Sequence, residues 1–243
     1  MASLAGKKIV IVGGSSGIGL GVAAAALQNG ADVTIVGRSN DKLQTARQSL
    51  GASSNLQGIV ADMTKEAEVT RLFGEVGSFD HLVSTAGTPP PNYPINDTDM
   101  DFVRTFVDNK LVGAVMLAKH AARTLRSRGS MIFTSGINKD RPPVPGGSVV
   151  SAIAGSFSYF ARALALELAP TRVNIVSPGW VDTPMWDELV GEAKSGFFKD
   201  MGSRLPAGKV ANPADIASAY LYLMTSEFMT GETIHIDGGQ RLI

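Results

Sequence analysis

The chain has 243 residues, 44% of them apolar, and its 22 basic and 22 acidic side chains leave no formal net charge. At ~150 residues per domain this length predicts one large α/β domain over residues 1–243 with ample core, and the even charge excludes a basic nucleic-acid footprint or a polybasic membrane patch. No cysteine is present, which removes disulfides, thiolate metal sites and a cysteine nucleophile.

The opening, MASLAGKKIVIVGG, sets its only apolar stretch directly against a glycine loop, unlike the ~7–15-residue apolar core of a secretory leader. No apolar run approaches ~20 residues, so no bilayer span is expected and the protein is expected in the cytoplasm. Short apolar runs at Lys8–Val12, Asp32–Val36, Leu56–Val60, His81–Ser84, Ser130–Thr134, Arg172–Val176 and Thr233–Ile236 predict strands. They are aliphatic or β-branched without alternation, the pattern of a parallel sheet covered on both faces. Between them, helical patterns run at 17–29, 41–50, 65–77, 99–127, 149–169 and 213–225. Asp41 supplies a start signal for the second, and Asn212-Pro213 a cap and first-turn proline for the last. Repeated strand–helix–strand units predict a Rossmann-like doubly wound parallel sheet of seven strands with helices on both faces. The proline-rich breaks at Thr88–Asn96 and Lys139–Ser148 follow strands, where the carboxyl ends of such a sheet border the ligand crevice.

The first strand runs into Gly13-Gly14-Ser15-Ser16-Gly17-Ile18-Gly19 and then a helix. Glycines there permit a tight turn and let helix-start N–H groups approach a pyrophosphate. The strand before and helix after turn a weak glycine pattern into a dinucleotide-binding signal. The second strand ends Val36-Gly37-Arg38-Ser39. An acid there would bind a ribose 2′-hydroxyl and repel a 2′-phosphate. Gly37 removes the acid, while Arg38 and the hydroxyls of Ser15 and Ser39 can bond a phosphate. NADP(H) is therefore expected over NAD(H).

With these residues the chain resembles the short-chain dehydrogenase/reductase family over essentially its whole length. Gly13-xxx-Gly17-x-Gly19 matches the family's glycine motif, with Val12 in place of the usual threonine, and implies cofactor contacts from Ser15, Ser16 and Ile18 as well. Ala61-Asp62-Met63 matches the adenine-contacting segment, and Ser84-Thr85-Ala86-Gly87 is a variant of Asn-Asn-Ala-Gly. Ser177-Pro178-Gly179-Trp180-Val181-Asp182-Thr183 matches the loop that holds the nicotinamide carboxamide. Thr230-Gly231 and Ile236-Asp237-Gly238-Gly239 match the carboxyl-terminal signature.

The family's usual reaction centre is Asn, Ser, Tyr and Lys, with the tyrosine exchanging the substrate's proton. Setting Ala163-Leu164-Ala165-Leu166-Glu167-Leu168 on the end of the active-site helix puts Val150 at the tyrosine position and Ala154 at the lysine position. Tyr93, Tyr159, Tyr220 and Tyr222 are followed four residues on by Asp97, Ala163, Met224 and Ser226, so no Tyr-xxx-Lys spacing exists. The serine position falls on Gly136 or, with a one-residue slip, on Ser135; the asparagine position falls on Lys110. Cofactor binding is expected to survive and the chemistry to have changed.

Ser135 and Lys110 are the candidate catalytic side chains. Ser135 equally suits a hydrogen bond to nearby backbone, and Lys110 a solvated helix charge. Arg141, beside Asn138, Lys139 and Asp140 in the second proline-rich loop, is a substrate-binding candidate, as are Asp182 and Trp186. The latter two lie just beyond the nicotinamide loop, in the region of an expected substrate lid at about 183–210. His81, His120 and His235 are too scattered for a metal cluster and suit structural roles. The edge strand Thr233–Ile236 needs cover, and the alanines at 114, 118, 121 and 122 and at 152, 154, 161, 163 and 165 suit helix packing between subunits. A homotetramer or homodimer is expected. Three functions are compatible with a small-molecule pocket: an NADP(H)-dependent reductase whose acceptor needs no enzyme acid, a non-redox isomerase or cyclase, and a non-catalytic NADP(H)-binding protein. The resemblance includes atypical relatives in fungal alkaloid pathways that reduce iminium ions, sometimes guiding a following cyclisation.

Overall fold

The computed structural model describes residues 3–88 and 92–243. Seven strands form one parallel sheet in the order β3-β2-β1-β4-β5-β6-β7. They are β1 (Lys8–Val12), β2 (Asp32–Gly37), β3 (Leu56–Val60), β4 (Phe79–Ser84), β5 (Leu125–Thr134), β6 (Arg172–Pro178) and β7 (Thr233–Ile236). The strand order reverses between β1 and β4, so their carboxyl ends flank the crevice of a doubly wound sheet. The prolines at positions 89, 90 and 91 of the first expected loop lie outside the described residues.

Successive strand residues feed two separate cores, which explains the absence of polar alternation. Ile9 and Ile11 pack with α1 (Gly17–Gln28) and α9 (Pro213–Thr225). Val10 and Val12 pack with α3 (Glu66–Val76), α5 (Gly113–Ala121) and α6 (Ser148–Glu167). At the last helix the Asn212 side chain accepts from Asp215 N at 3.0 Å, and Asp215 accepts from Asn212 N at 2.9 Å, a reciprocal cap followed by Pro213.

Four details depart from the sequence expectation. The cap of α2 (Asn40–Ser49) is Ser39, whose Oγ accepts from Lys42 N at 3.3 Å, and Asp41 lies inside the first turn. The helix expected over 99–127 is α4 (Met100–Val107), a π-helical turn at Asp108–Val112, and then α5. Its expected last turn belongs to β5, because Asp80 draws that segment onto β4. The Asp80 carboxylate takes Arg126 Nη1 at 2.7 Å and Lys8 N at 2.9 Å. Phe79 pairs with Leu125 and His81 with Ser130, so β5 bulges between them, through Arg128 at φ 65°. Third, α6 has 20 residues and a mean hydropathy of 1.5, long and apolar enough to match a span by those measures. It nonetheless carries Arg162 and buries Val150, Ala154, Phe157 and Ala161 in the protein. Finally, Ala114, Ala118, Ala121, Ala154 and Ala161 face this chain's own core, leaving Ala122, Ala152 and Ala163 exposed.

The stretch after β6, for which the sequence pattern predicts no helix, holds α7 (Met185–Val190) and α8 (Lys194–Arg204). They are joined by Lys194 to Asp187 and by Trp186 to Phe197 and Phe198.

Candidate active site

The turn from β1 to α1 is a cradle that side chains would fill. Gly13 has φ 86°, and a Cβ there would stand 2.6 Å from Ala86 N and 2.8 Å from Thr85 Oγ1. A Cβ on Gly19 would strike the Gly13 carbonyl. Ser16 precedes α1 in extended conformation and its hydroxyl makes no cap, so among the described residues the first-turn N–H groups have no side-chain partner. Ile18 packs against the core. The loop after β6 closes over the same turn. Gly17 lies so near Thr183 that a Cβ would be 3.1 Å from its Cγ2.

That second loop is pinned along its length. Gly179 N donates to Ile236 O at 3.1 Å, and Trp180 N to Gln240 Oε1 at 3.1 Å. Val181 bridges to Ala211, and Asp182 N donates to Ala211 O at 2.7 Å. Pro178 is the last residue of β6, which fixes where the loop begins.

At the end of β2, Gly37 leaves room beside Ser15, whose Oγ would lie 3.3 Å from a Cβ at 37. Arg38 is exposed and in no ion pair among the described residues. Ser39 is engaged as the helix cap. Asp62 accepts from Thr64 N at 2.9 Å and Thr64 Oγ1 at 2.8 Å. Burial pushes its pKa up, but those hydrogen bonds and the charges of Arg38 and Lys65 hold it below the usual value, so it is ionised. Met63 packs against Gly113, where a Cβ would meet its Cε at 3.0 Å.

Beyond β4, Thr85 N donates to Val12 O at 2.9 Å, which joins the Ser84–Gly87 segment to the glycine turn. Lys110 reaches this segment from the π-helical turn and places Nζ 3.5 Å from Ala86 O. Burial pulls its ammonium pKa down to about 8.

Ser135 follows β5, and its Oγ donates to Ala154 O at 2.7 Å. Val150 and Ala154 are buried on α6. Gly136 borders open space: a Cβ added there would meet nothing within 4 Å. Of the tyrosines, Tyr220 is wholly buried and bonded to Thr134 Oγ1 at 2.6 Å, its pKa pushed up by burial. Tyr159 and Tyr222 are exposed on helices, and Tyr93 lies edge-on to Phe102 on the loop after β4.

The loop candidates divide. Arg141 is exposed, and among the described residues it bonds only through its backbone N, to Ile137 O at 2.9 Å. Lys139 instead joins Asp140 at 2.7 Å and His235 Nε2 at 2.8 Å, tying the loop to the edge strand. Asp182 and Asp187 both hold Lys194 Nζ, each at 2.7 Å. Trp186 packs on Phe197 and Phe198, with ring centroids at 5.3 and 5.6 Å. A cavity of ≈ 520 Å³ opens beside Asp182 between α8 and residues 208–212. Sequence reasoning missed Lys194, whose pairing depends on how the segment after β6 folds, and the Lys139–His235 contact, whose partners are 96 residues apart. His81 is bonded to Ser130 Oγ at 2.9 Å and pulled down to about 4 by burial, and His120 meets Glu66 at 2.9 Å.

Sheet order, glycine cradle and pinned post-β6 loop together define a dinucleotide-binding oxidoreductase fold. The chain belongs to the short-chain dehydrogenase/reductase family: the family model described as Enoyl-(Acyl carrier protein) reductase matches residues 12–241. It is 33% identical over 252 residues to Short-chain dehydrogenase/reductase ATR9 of Stachybotrys chlorohalonatus, covering 98% of each. Among solved structures it matches MalC Reductase/Diels-Alderase from Malbranchea aurantiaca with a TM-score of 0.92 at 27% identity, over 99% of this chain and 98% of that one. It also matches a small-chain dehydrogenase in complex with NADPH, with a TM-score of 0.82 at 32% identity, over 98% of this chain and 100% of that one.

Proposed function

We propose that this protein is an NADP(H)-dependent reductase of a small organic acceptor that is already positively charged, such as an iminium ion, in secondary metabolism. The reading rests on the sequence alignment that sets Val150 and Ala154 at the family's tyrosine and lysine positions; the observation that supports it is that both are buried and apolar, and that the nearby Ser135 hydroxyl donates to backbone. Hydride addition neutralises an iminium directly, so its reduction needs no enzyme acid, whereas a ketone's developing alkoxide does.

The glycine cradle at 13–19 fits a nucleotide pyrophosphate, Asp62 and Met63 would line its adenosine side, and Ala86 and Gly87 would also contact the nucleotide. Arg38 and Ser15 beside Gly37 would hold a 2′-phosphate, and a relative is known with NADPH. When bound, the reduced nicotinamide supplies the hydride. Pro178, Gly179, Val181 and Thr183 would orient it, Ser135 and Lys110 are the polar side chains of the reaction chamber, and Arg141, Asp182 and Trp186 stand at its rim. Residues 183–210 form a lid on a single domain of 243 residues. The exposed apolar Tyr159 and Leu166 of α6, 73% and 84% accessible, favour a homodimer or homotetramer that covers this helix.

Likeness to MalC, whose name pairs reductase with Diels-Alderase, favours a second reading in which the pocket guides a cyclisation. Absorbance of NADPH mixed with cyclic imines or matched ketones separates the cases. Oxidation with imines alone is expected; oxidation with ketones alone overturns the reading. Product without oxidation identifies a cyclase or isomerase, and binding without product a non-catalytic protein.

A further inference from the structure

Building on the hydride-transfer reading above, we infer that Lys110 is a binding site for an anionic group of the substrate, of the carboxylate class, set beside Ala86 and Gly87. The lysine sits in the π-helical turn Asp108–Val112 between α4 and α5. Such a turn widens the helix locally and recurs at functional sites. Its seat is shaped for it: a Cβ at Gly87 would stand 2.7 Å from Nζ and 2.8 Å from Cε, so any larger residue at 87 displaces the ammonium.

The ammonium has no counter-ion among the described residues. Its one hydrogen-bond partner among them is the neutral Ala86 carbonyl, at 3.5 Å. Other sheltered lysines of this chain are paired, Lys139 with Asp140 at 2.7 Å, and Lys194 with Asp182 and Asp187, each at 2.7 Å. Lys110 is half-buried; withdrawing a cation from water without a partner opposes folding and lowers its pKa. A carboxylate on the substrate supplies the missing charge. The electrostatics of the acceptor require the same: a bare iminium near this ammonium is repelled, whereas a substrate carrying both an iminium and a carboxylate sets its negative group against Lys110.

The test is calorimetric binding of pyrrole-2-carboxylate and pyrrole-2-carboxamide to the NADP⁺-loaded protein, with benzoate/benzamide and cyclohexane carboxylate/carboxamide as further pairs. The wild type is expected to prefer the carboxylate by about ten- to a hundredfold, as for hydrogen bonds between charged groups. Lys110→Met and Lys110→Gln are expected to bring that ratio to about one, and Lys110→Arg to keep a preference. The Gln variant serves if the Met variant does not fold, and NADPH binding reports folding of each. No carboxylate preference in the wild type on any scaffold overturns the inference, as does a preference that survives both neutral substitutions. The hydride-transfer reading fails separately: a carboxylate preference with no imine-dependent NADPH oxidation refutes that reading alone, and imine reduction with no carboxylate preference refutes this inference alone.

Discussion

The Ser135 hydroxyl donates to the Ala154 carbonyl oxygen at 2.7 Å, across 19 residues of sequence. The contact locks the end of β5 to the second turn of α6. A hydroxyl held this way stabilises the site's walls and has its proton committed to the backbone. Ser135→Ala is expected to lower stability by about 0.5–1.5 kcal/mol and turnover by less than about tenfold. Denaturant unfolding beside steady-state rates checks it; a rate loss of ~10²–10⁴-fold with little change in stability would make Ser135 a proton donor.

Val150 and Ala154 are 4% and 9% exposed. Val150→Tyr with Ala154→Lys forces larger side chains into that wall, and overpacking typically costs about 1–3 kcal/mol. The double variant is expected to turn over the native acceptor at an unchanged or lower rate, since a charged acceptor needs no acid. Rates of the two proteins measured side by side decide it. A clear increase would show that proton donation limits the wild type.

Arg38 is exposed, unpaired among the described residues, and close enough to Asp62 to lower its pKa. Arg38→Ala is expected to weaken NADPH binding by about 1.5–3 kcal/mol, the range for hydrogen bonds to charged groups. NADH binding should barely move. Equal losses for the two nucleotides in calorimetry would sink the 2′-phosphate assignment.

Lys110 titrates near pH 8 in the folded chain, below the ordinary lysine value, because of burial. Its folded-state pKa is depressed, so the unfolded state binds more protons between pH 8 and 10.5 and stability rises with pH through that window. At neutral pH the full destabilisation is present, and Lys110→Met is expected to stabilise the protein by about 1–3 kcal/mol. Carboxylate binding should be strong below pH 8 and fall above it as the ammonium loses its charge. Other charges on the surrounding elements are occupied or exposed: Arg104 pairs with Asp101, Lys119 and His120 with Glu66, and Asp97, Asp99 and Asp108 face solvent. On α6, residues 148–154 carry no titratable side chain, and Arg162 and Glu167 are exposed. Chemical denaturation at several pH values, for wild type and Met variant, reads the slope; an identical slope in both removes Lys110 as its source.

Tyr159 and Leu166 leave α6 with exposed apolar surface that a second copy would cover. Light scattering at micromolar concentration is expected to give a dimer or tetramer, and Tyr159→Glu with Leu166→Glu a smaller species. A monomer mass for the wild type would refute the assembly.

The sequence by itself determined the sheet, the glycine turn after β1 and the absence of a Tyr-xxx-Lys spacing. Runs such as Lys8–Val12 are apolar on both faces only because two helical layers cover them, so local pattern and tertiary burial agree there. The glycines of residues 13–19 are likewise legible, since the need for space at a strand-to-helix turn is a local one. Where partners come from distant segments, only the tertiary structure decided. Asp80 draws Arg126 into β5 against a helical pattern that runs on. Lys139 meets His235 of the edge strand, 96 residues on. Ser135 finds its acceptor on α6, and the π-helical turn delivers Lys110 to the space that Gly87 leaves. Side-chain type and spacing name the groups that can react, but burial and the presence or absence of a counter-charge are properties of the folded packing, and these set what Lys110 and Ser135 can do.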